Sequence, residues 1–182
     1  LHMPVSDRLA FLELHETLVR QRDDCFLEMI ILYIQEGRFG RARDLLLSKR
    51  FNIYEGGEGK LTRMHGWLYT LWGRKAQLEG DLNAALKPFE TALVYPDNYG
   101  EGRHYSAQEA NIYYYMGLLF YQMNQESQAQ AAWTKAANQP SQITEITYFA
   151  ALSLQALGQQ DQANDLFRKM IDTGNRLKAT AR

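Results

Sequence analysis

Four histidines and one cysteine are the side chains in this sequence best suited to metal or nucleophilic chemistry. The histidines are His2, His15, His65 and His104, and no two stand four residues apart. That is the spacing that puts two imidazoles on one helical face around zinc. His65 and His104 each follow a glycine-containing stretch and can approach one another, but two imidazoles without a carboxylate pattern make a poor zinc site. The expectation is exposed loop histidines. Cys25 is the single cysteine, so neither an internal disulfide nor a cysteine zinc site can be built. Beside Phe26, at the start of an apolar stretch, it reads as a buried thiol. The stretch Glu55–Lys60 is not a phosphate loop. The pattern G-x-x-x-x-G-K-[ST] needs glycine where Tyr54 stands and a hydroxyl where Leu61 stands, and two glutamates would repel phosphate. No G-x-S-x-G elbow presents a serine nucleophile. No catalytic residue, metal or cofactor is expected.

The elements that position the remaining side chains follow from composition and rhythm. Of 182 residues, 46% are hydrophobic and 23% charged, enough apolar surface to offset chain entropy and exclude disorder. The 20 basic residues are balanced by 21 acidic ones, so nothing favours nucleic acid as a partner. The longest apolar run, Ile112 to Tyr121, is too short to span a bilayer. No signal peptide opens the chain, and the expected location is cytoplasmic. The four prolines, Pro4, Pro88, Pro96 and Pro140, leave long stretches free of helix breakers.

One pattern recurs four times: a turn residue, an alanine five positions on, and a bulky apolar residue four after that. The copies are Gly37/Ala42/Leu46, Gly80/Ala85/Phe89, Asn124/Ala129/Trp133 and Gly158/Ala163/Phe167. Ahead of each turn lies another apolar stretch, at Phe26–Ile34, Trp67–Leu78, Ile112–Met123 and Ile146–Leu157. Each copy thus reads as two helices joined by a tight turn. Small alanine beside a large Leu, Phe or Trp lets the two interlock, and four hairpins in line make a solenoid. The expected fold is all-α, a right-handed superhelical solenoid of helical hairpins, as one domain over 1–182. Its repeats lie near 23–50, 66–97, 110–141 and 144–171, with inserted loops at 51–65 and 98–109.

Ser6–Arg20 reads as a further helix, capped by Ser6 or Asp7. Asn175–Arg182 reads as the start of another. Neither end resembles the polar cap of a solenoid. A fragment of a larger protein is therefore expected, with Leu1-His2-Met3 as a cloning remnant.

These residues resemble the tetratricopeptide repeat, whose pattern is W-x2-L-G-x2-Y…A-x3-F…P. The third copy runs Tyr113, Met116, Gly117, Phe120, Ala129, Trp133, Ala136, Pro140. The second runs Tyr69, Trp72, Gly73, Ala76, Ala85, Phe89, Ala92, Pro96. The first is carried by Phe26, Met29, Ile30, Tyr33, Ala42 and Leu46, and the fourth by Ala150, Ala151, Leu154, Ala163 and Phe167. The resemblance covers roughly residues 23 to 171. It implies that Trp72, Phe89, Trp133 and Phe167 are core. It also implies a concave groove lined by the first helix of each pair: Leu27, Ile31 and Ile34; Trp67, Thr70, Arg74 and Gln77; Asn111, Tyr114, Leu118 and Tyr121; Glu145, Tyr148, Leu152 and Gln155. Tyr, Trp and Arg are enriched at binding hot spots. Leu27, Ile31, Trp67, Arg74, Asn111, Tyr114, Tyr121 and Tyr148 are the expected partner-binding residues, unless a helix of the chain itself fills the groove.

The alanine positions step by 43, 44 and 34 residues, whereas this repeat steps by 34. Two inserts therefore precede the second and third hairpins, on one edge of the solenoid and near each other. They share a string, Gly57-Glu58-Gly59-Lys60 and Gly100-Glu101-Gly102-Arg103. The plainer reading is a repeated turn with exposed ion pairs worth about 0–1 kcal/mol each. The sharper is a docking edge of Glu58, Lys60, Glu101 and Arg103. Glu55–Lys60 and Tyr95–Gly102 also resemble the C-terminal repeat region of large bacterial proteins in which a β-rich, sugar-processing-like part precedes the repeats. The expected function is a non-catalytic scaffold for a protein or peptide, or for an adjoining domain, with self-association through the solenoid ends as a further route. The alternative is the helical accessory part of a carbohydrate-active enzyme.

Overall fold

A computed structural model describes residues 3–51, 58–103, 107, 109–138 and 143–180. Gly56, Gly57, His2, His104 and Pro140 lie outside the described residues. Those described form helices and turns without a strand. In chain order they are α1 (Val5–Leu14), α2 (Glu16–Val19), α3 (Asp23–Gln35), α4 (Phe39–Leu47), α5 (Lys60–Leu78), α6 (Leu82–Ala92), a 3₁₀ turn (Asp97–Tyr99), α7 (Ala110–Gln122), α8 (Glu126–Ala137), α9 (Thr147–Ala156) and α10 (Gln160–Thr180). Helices pair as α3/α4, α5/α6, α7/α8 and α9/α10, and successive pairs stack in order. The fold is an all-α row of helical hairpins. No helix among the described residues is long and apolar enough to cross a membrane.

The four turns close in the same way. Gly37, Gly80, Asn124 and Gly158 have φ of +69°, +84°, +58° and +75°, the left-handed conformation open to glycine and tolerated by asparagine. In each, the next residue's N–H reaches back over the last helical turn: Arg38 to Tyr33 O at 2.9 Å, Asp81 to Ala76 O at 3.0 Å, Gln125 to Phe120 O at 2.8 Å and Gln159 to Leu154 O at 2.9 Å. This bond ends the first helix and aims the second back along it.

Interlocking follows from the small residues. Ala42, Ala85, Ala129 and Ala163 are fully buried, as is Phe89, and Trp133 is nearly so. Gly73 lies under the Phe89 ring and Gly117 under the Trp133 indole, so closely that a Cβ at either would come within 3 Å of ring atoms. Trp72 and Phe167, expected in the core, are only partly buried. Trp72 stacks on Tyr69 and Phe39 beneath the Arg43 guanidinium, and Phe167 packs against the exposed Tyr148.

Several boundaries differ from the sequence reading. The N-terminal helix starts at Val5, with neither Ser6 nor Asp7 capping it, and breaks at His15. Helix α5 begins at Lys60, so the end of the expected loop 51–65 is helical. Helix α10 runs unbroken through Asn175 to Thr180, so no new helix begins there.

Candidate partner-binding face and the joined inserts

Helices α5, α7 and α9 contact one another in sequence, the first helices of three hairpins side by side. Arg74 on α5 places its guanidinium 4.3 Å from the Tyr115 ring centroid of α7 and donates to Gln77 Oε1 at 2.8 Å. Gln77 in turn donates to Gln122 Oε1 of α7 at 2.7 Å. Tyr114 and Tyr115 both pack on Phe149 of α9, at 5.8 and 5.4 Å, and Tyr148 adjoins Phe149. Burial raises the Tyr114 phenol above its ordinary range, the neighbouring Tyr115 and Tyr148 add to this, and Arg74 opposes it. Arg74, Tyr114 and Tyr148 are thus linked across three helices through Tyr115 and Phe149. Tyr148 and Tyr121 are 46% and 59% exposed and Trp67 37%. Asn111 is half-buried, and Leu27 and Ile31 pack against the main apolar core. Ile34, Thr70 and Gln77 are buried.

The two inserts meet. The Glu101 carboxylate accepts from the Gly59 N–H at 2.8 Å and the Thr62 N–H at 3.3 Å, closing the N-terminus of α5. Gly59 sits at φ +75° just ahead of that helix. From the same insert, the Asn98 amide donates to Leu46 O at 3.0 Å and Lys49 O at 2.9 Å, satisfying the C-terminal end of α4, and Asn98 O accepts from the Phe51 N–H. Arg103, its own side chain half exposed, pairs with a buried carboxylate. It makes two hydrogen bonds of 2.9 Å to Glu109, which is buried and also accepts from the Tyr95 hydroxyl. That bonding raises the Arg103 pKa, while burial and Glu109 raise the Tyr95 phenol. Glu58 and Lys60 are exposed.

His65 corrects the sequence reading. It is a fully buried residue of α5, not an exposed loop histidine. Nε2 lies 2.8 Å from the Thr91 carbonyl oxygen and Nδ1 2.8 Å from the Tyr99 hydroxyl. A carbonyl only accepts, so Nε2 carries the proton and Nδ1 accepts from Tyr99. Tyr99 is itself fully buried and meets Phe51 edge-on. The hub joining α5, α6 and both inserts was not apparent from spacing, because its partners are 26 and 34 residues away.

Glu101 and Glu58 are therefore expected to differ on substitution. Glu101→Gln should destabilise the protein by about 1 kcal/mol, since the charged acceptor at a helix N-terminus is lost. Glu58→Gln should stay within about 0.5 kcal/mol, as for an exposed surface change. Urea denaturation of the two variants measures both, and equal effects would show that Glu101 does not hold α5.

No protein-family model matches this chain. Among solved structures it is similar to the crystal structure of MamA, at 16% identity over 96% of this chain and 89% of that chain, with a TM-score of 0.42.

Proposed function

We propose that the chain is a non-catalytic scaffold that binds a protein or peptide segment along the face of α5, α7 and α9. The observation that carries this reading is the Arg74–Tyr114–Tyr148 run. Arg74 of α5 lies on the Tyr115 ring of α7, Tyr114 and Tyr115 pack on Phe149 of α9, and Tyr148 beside Phe149 is half exposed. Such side chains supply large contact area at low entropic cost. Trp67 and Asn111 lie on the same two helices, α5 and α7, and Leu27 and Ile31 of α3, though packed against the core, would extend the face towards the first hairpin. The joined inserts, with Glu58 and Lys60 outward, offer a second surface for an adjoining domain. Phe11, Leu14 and Leu18 near one end and Ile171 and Leu177 near the other are exposed, and they are the side chains through which copies would associate.

The test is selection of peptides from a random display library, followed by titration of the selected sequences. Tyr148→Ala should weaken binding by about 1 kcal/mol or more, roughly fivefold, with little change in melting temperature. Selected peptides that bind Tyr148→Ala and Arg74→Ala as tightly as wild type would remove this face as the site.

A further inference from the structure

A cleft of about 330 Å³ lies beside this face, between the α7/α8 hairpin and the α9–α10 turn. Its walls include Tyr121, Glu126, Gln130, Trp133, Leu157 and Gln159. Tyr121 lines the cleft with its side chain exposed, its ring 6.0 Å from the Trp133 indole. Glu126 is exposed, and its carboxylate has no ion pair or side-chain hydrogen bond among the described residues. Among the described residues, no cationic side chain lines the cleft. Its chemistry is one unneutralised negative charge, an accessible aromatic ring, two amides and an apolar floor.

We infer that this cleft receives an arginine side chain of the bound segment, its guanidinium on the Tyr121 ring and paired with Glu126. A planar guanidinium stacks on an aromatic face and pairs with a carboxylate at once, which a compact ammonium does less well. The Gln130 and Gln159 amide oxygens can accept its remaining N–H groups, and the aliphatic stem covers Leu157. The inference rests on the segment-binding reading above and adds a side-chain preference at one end of the face.

The probes are N-acetyl-arginine methylamide and its neutral near-isostere, N-acetyl-citrulline methylamide, titrated to about 20 mM into isotopically labelled protein. Nuclear magnetic resonance follows the Trp133 indole N–H and the backbone amides of Glu126, Gln130 and Gln159. The arginine probe should shift these signals saturably, and citrulline should shift them at least fivefold less at equal concentration. Glu126→Gln should weaken the arginine response roughly fivefold, with the melting temperature within about 3 °C of wild type. Equal response to both probes, no response at these amides, or an unchanged response in Glu126→Gln would each overturn the inference. Its failure is separable from failure of the face. If library peptides still lose affinity in Tyr148→Ala while the cleft signals ignore arginine, the face stands and the socket falls.

Discussion

Trp133→Ala is expected to destabilise the protein by roughly 3–5 kcal/mol, the cost of a large buried ring replaced by a cavity. The indole is 6% exposed and seats on Gly117 across the α7/α8 hairpin. The converse change is informative as well. A Cβ built on Gly117 would lie 2.3 Å from Trp133 Nε1 and 2.4 Å from its Cδ1. The atoms met belong to a rigid ring, so α7 and α8 must separate. Gly117→Ala should therefore cost roughly 1–3 kcal/mol or more. Both penalties come from one contact, so they should not add. With Trp133→Leu already present, Gly117→Ala should cost markedly less than alone, and the difference is the coupling energy. Trp133→Phe should be mild, below about 1.5 kcal/mol. The indole N–H is buried without a hydrogen-bond partner among the described residues, and the second hairpin already pairs glycine with phenylalanine at Gly73 and Phe89. Urea denaturation of the five variants, Trp133→Leu alone and combined with Gly117→Ala included, measures all of this. A Trp133→Ala cost below about 1 kcal/mol would place the ring at the surface.

The same contact shows why the hairpins were legible in the sequence. A left-handed turn residue, an alanine and a bulky apolar residue at fixed spacing encode a local geometry, and their recurrence at Gly37, Gly80, Asn124 and Gly158 reports it four times. Signals outside that rhythm were not legible. The first turns of α5 depend on Gly59 in the left-handed conformation and on Glu101, a carboxylate 42 residues further along the chain than the N–H it accepts from. Arg103 resembles Lys60 in its string, yet it folds back on Glu109, whose burial no local pattern marks. Trp72 and Phe167 occupy repeat positions but remain partly exposed, so position in the repeat does not by itself fix burial. On the proposed binding face, the pattern put Arg74, Tyr114 and Tyr148 on successive first helices. It did not indicate that Tyr115, which the repeat positions leave out, would be the ring under Arg74.

Acidification should expose the buried hub through His65. Burial among the rings of Tyr69, Tyr95 and Tyr99 holds its pKa below the ordinary 6.5, outweighing the carbonyl of Thr91, which favours the charged form. The folded protein therefore binds fewer protons at this site than the unfolded chain once pH falls below about 6.5, and stability must fall with it. The contribution is complete above the unfolded value and is lost at up to about 1.4 kcal/mol per pH unit below it, until the folded pKa is passed. Carboxylates that the fold holds low, Glu13 by the Tyr33 hydroxyl and Asp24 by Arg22, add their own losses only in more acidic solution. The window between about pH 6.5 and 5 is thus the histidine's. Geometry supports the direction. Protonated Nδ1 would turn from acceptor to donor against Tyr99, whose buried hydroxyl would then lose the nitrogen it donates to. His65→Gln keeps a donor for Thr91 and removes the titration. It should cost about 1 kcal/mol or more at pH 7.5, where the Tyr99 bond is impaired, yet flatten the stability profile from pH 6.5 to 5. Tyr99→Phe should lower stability at every pH while leaving most of the slope in place, because desolvation is the larger cause of the lowered pKa and that bond only adds to it. Denaturation midpoints at half-unit steps separate the cases. An identical slope in wild type and His65→Gln would show that the imidazole is not the group being titrated.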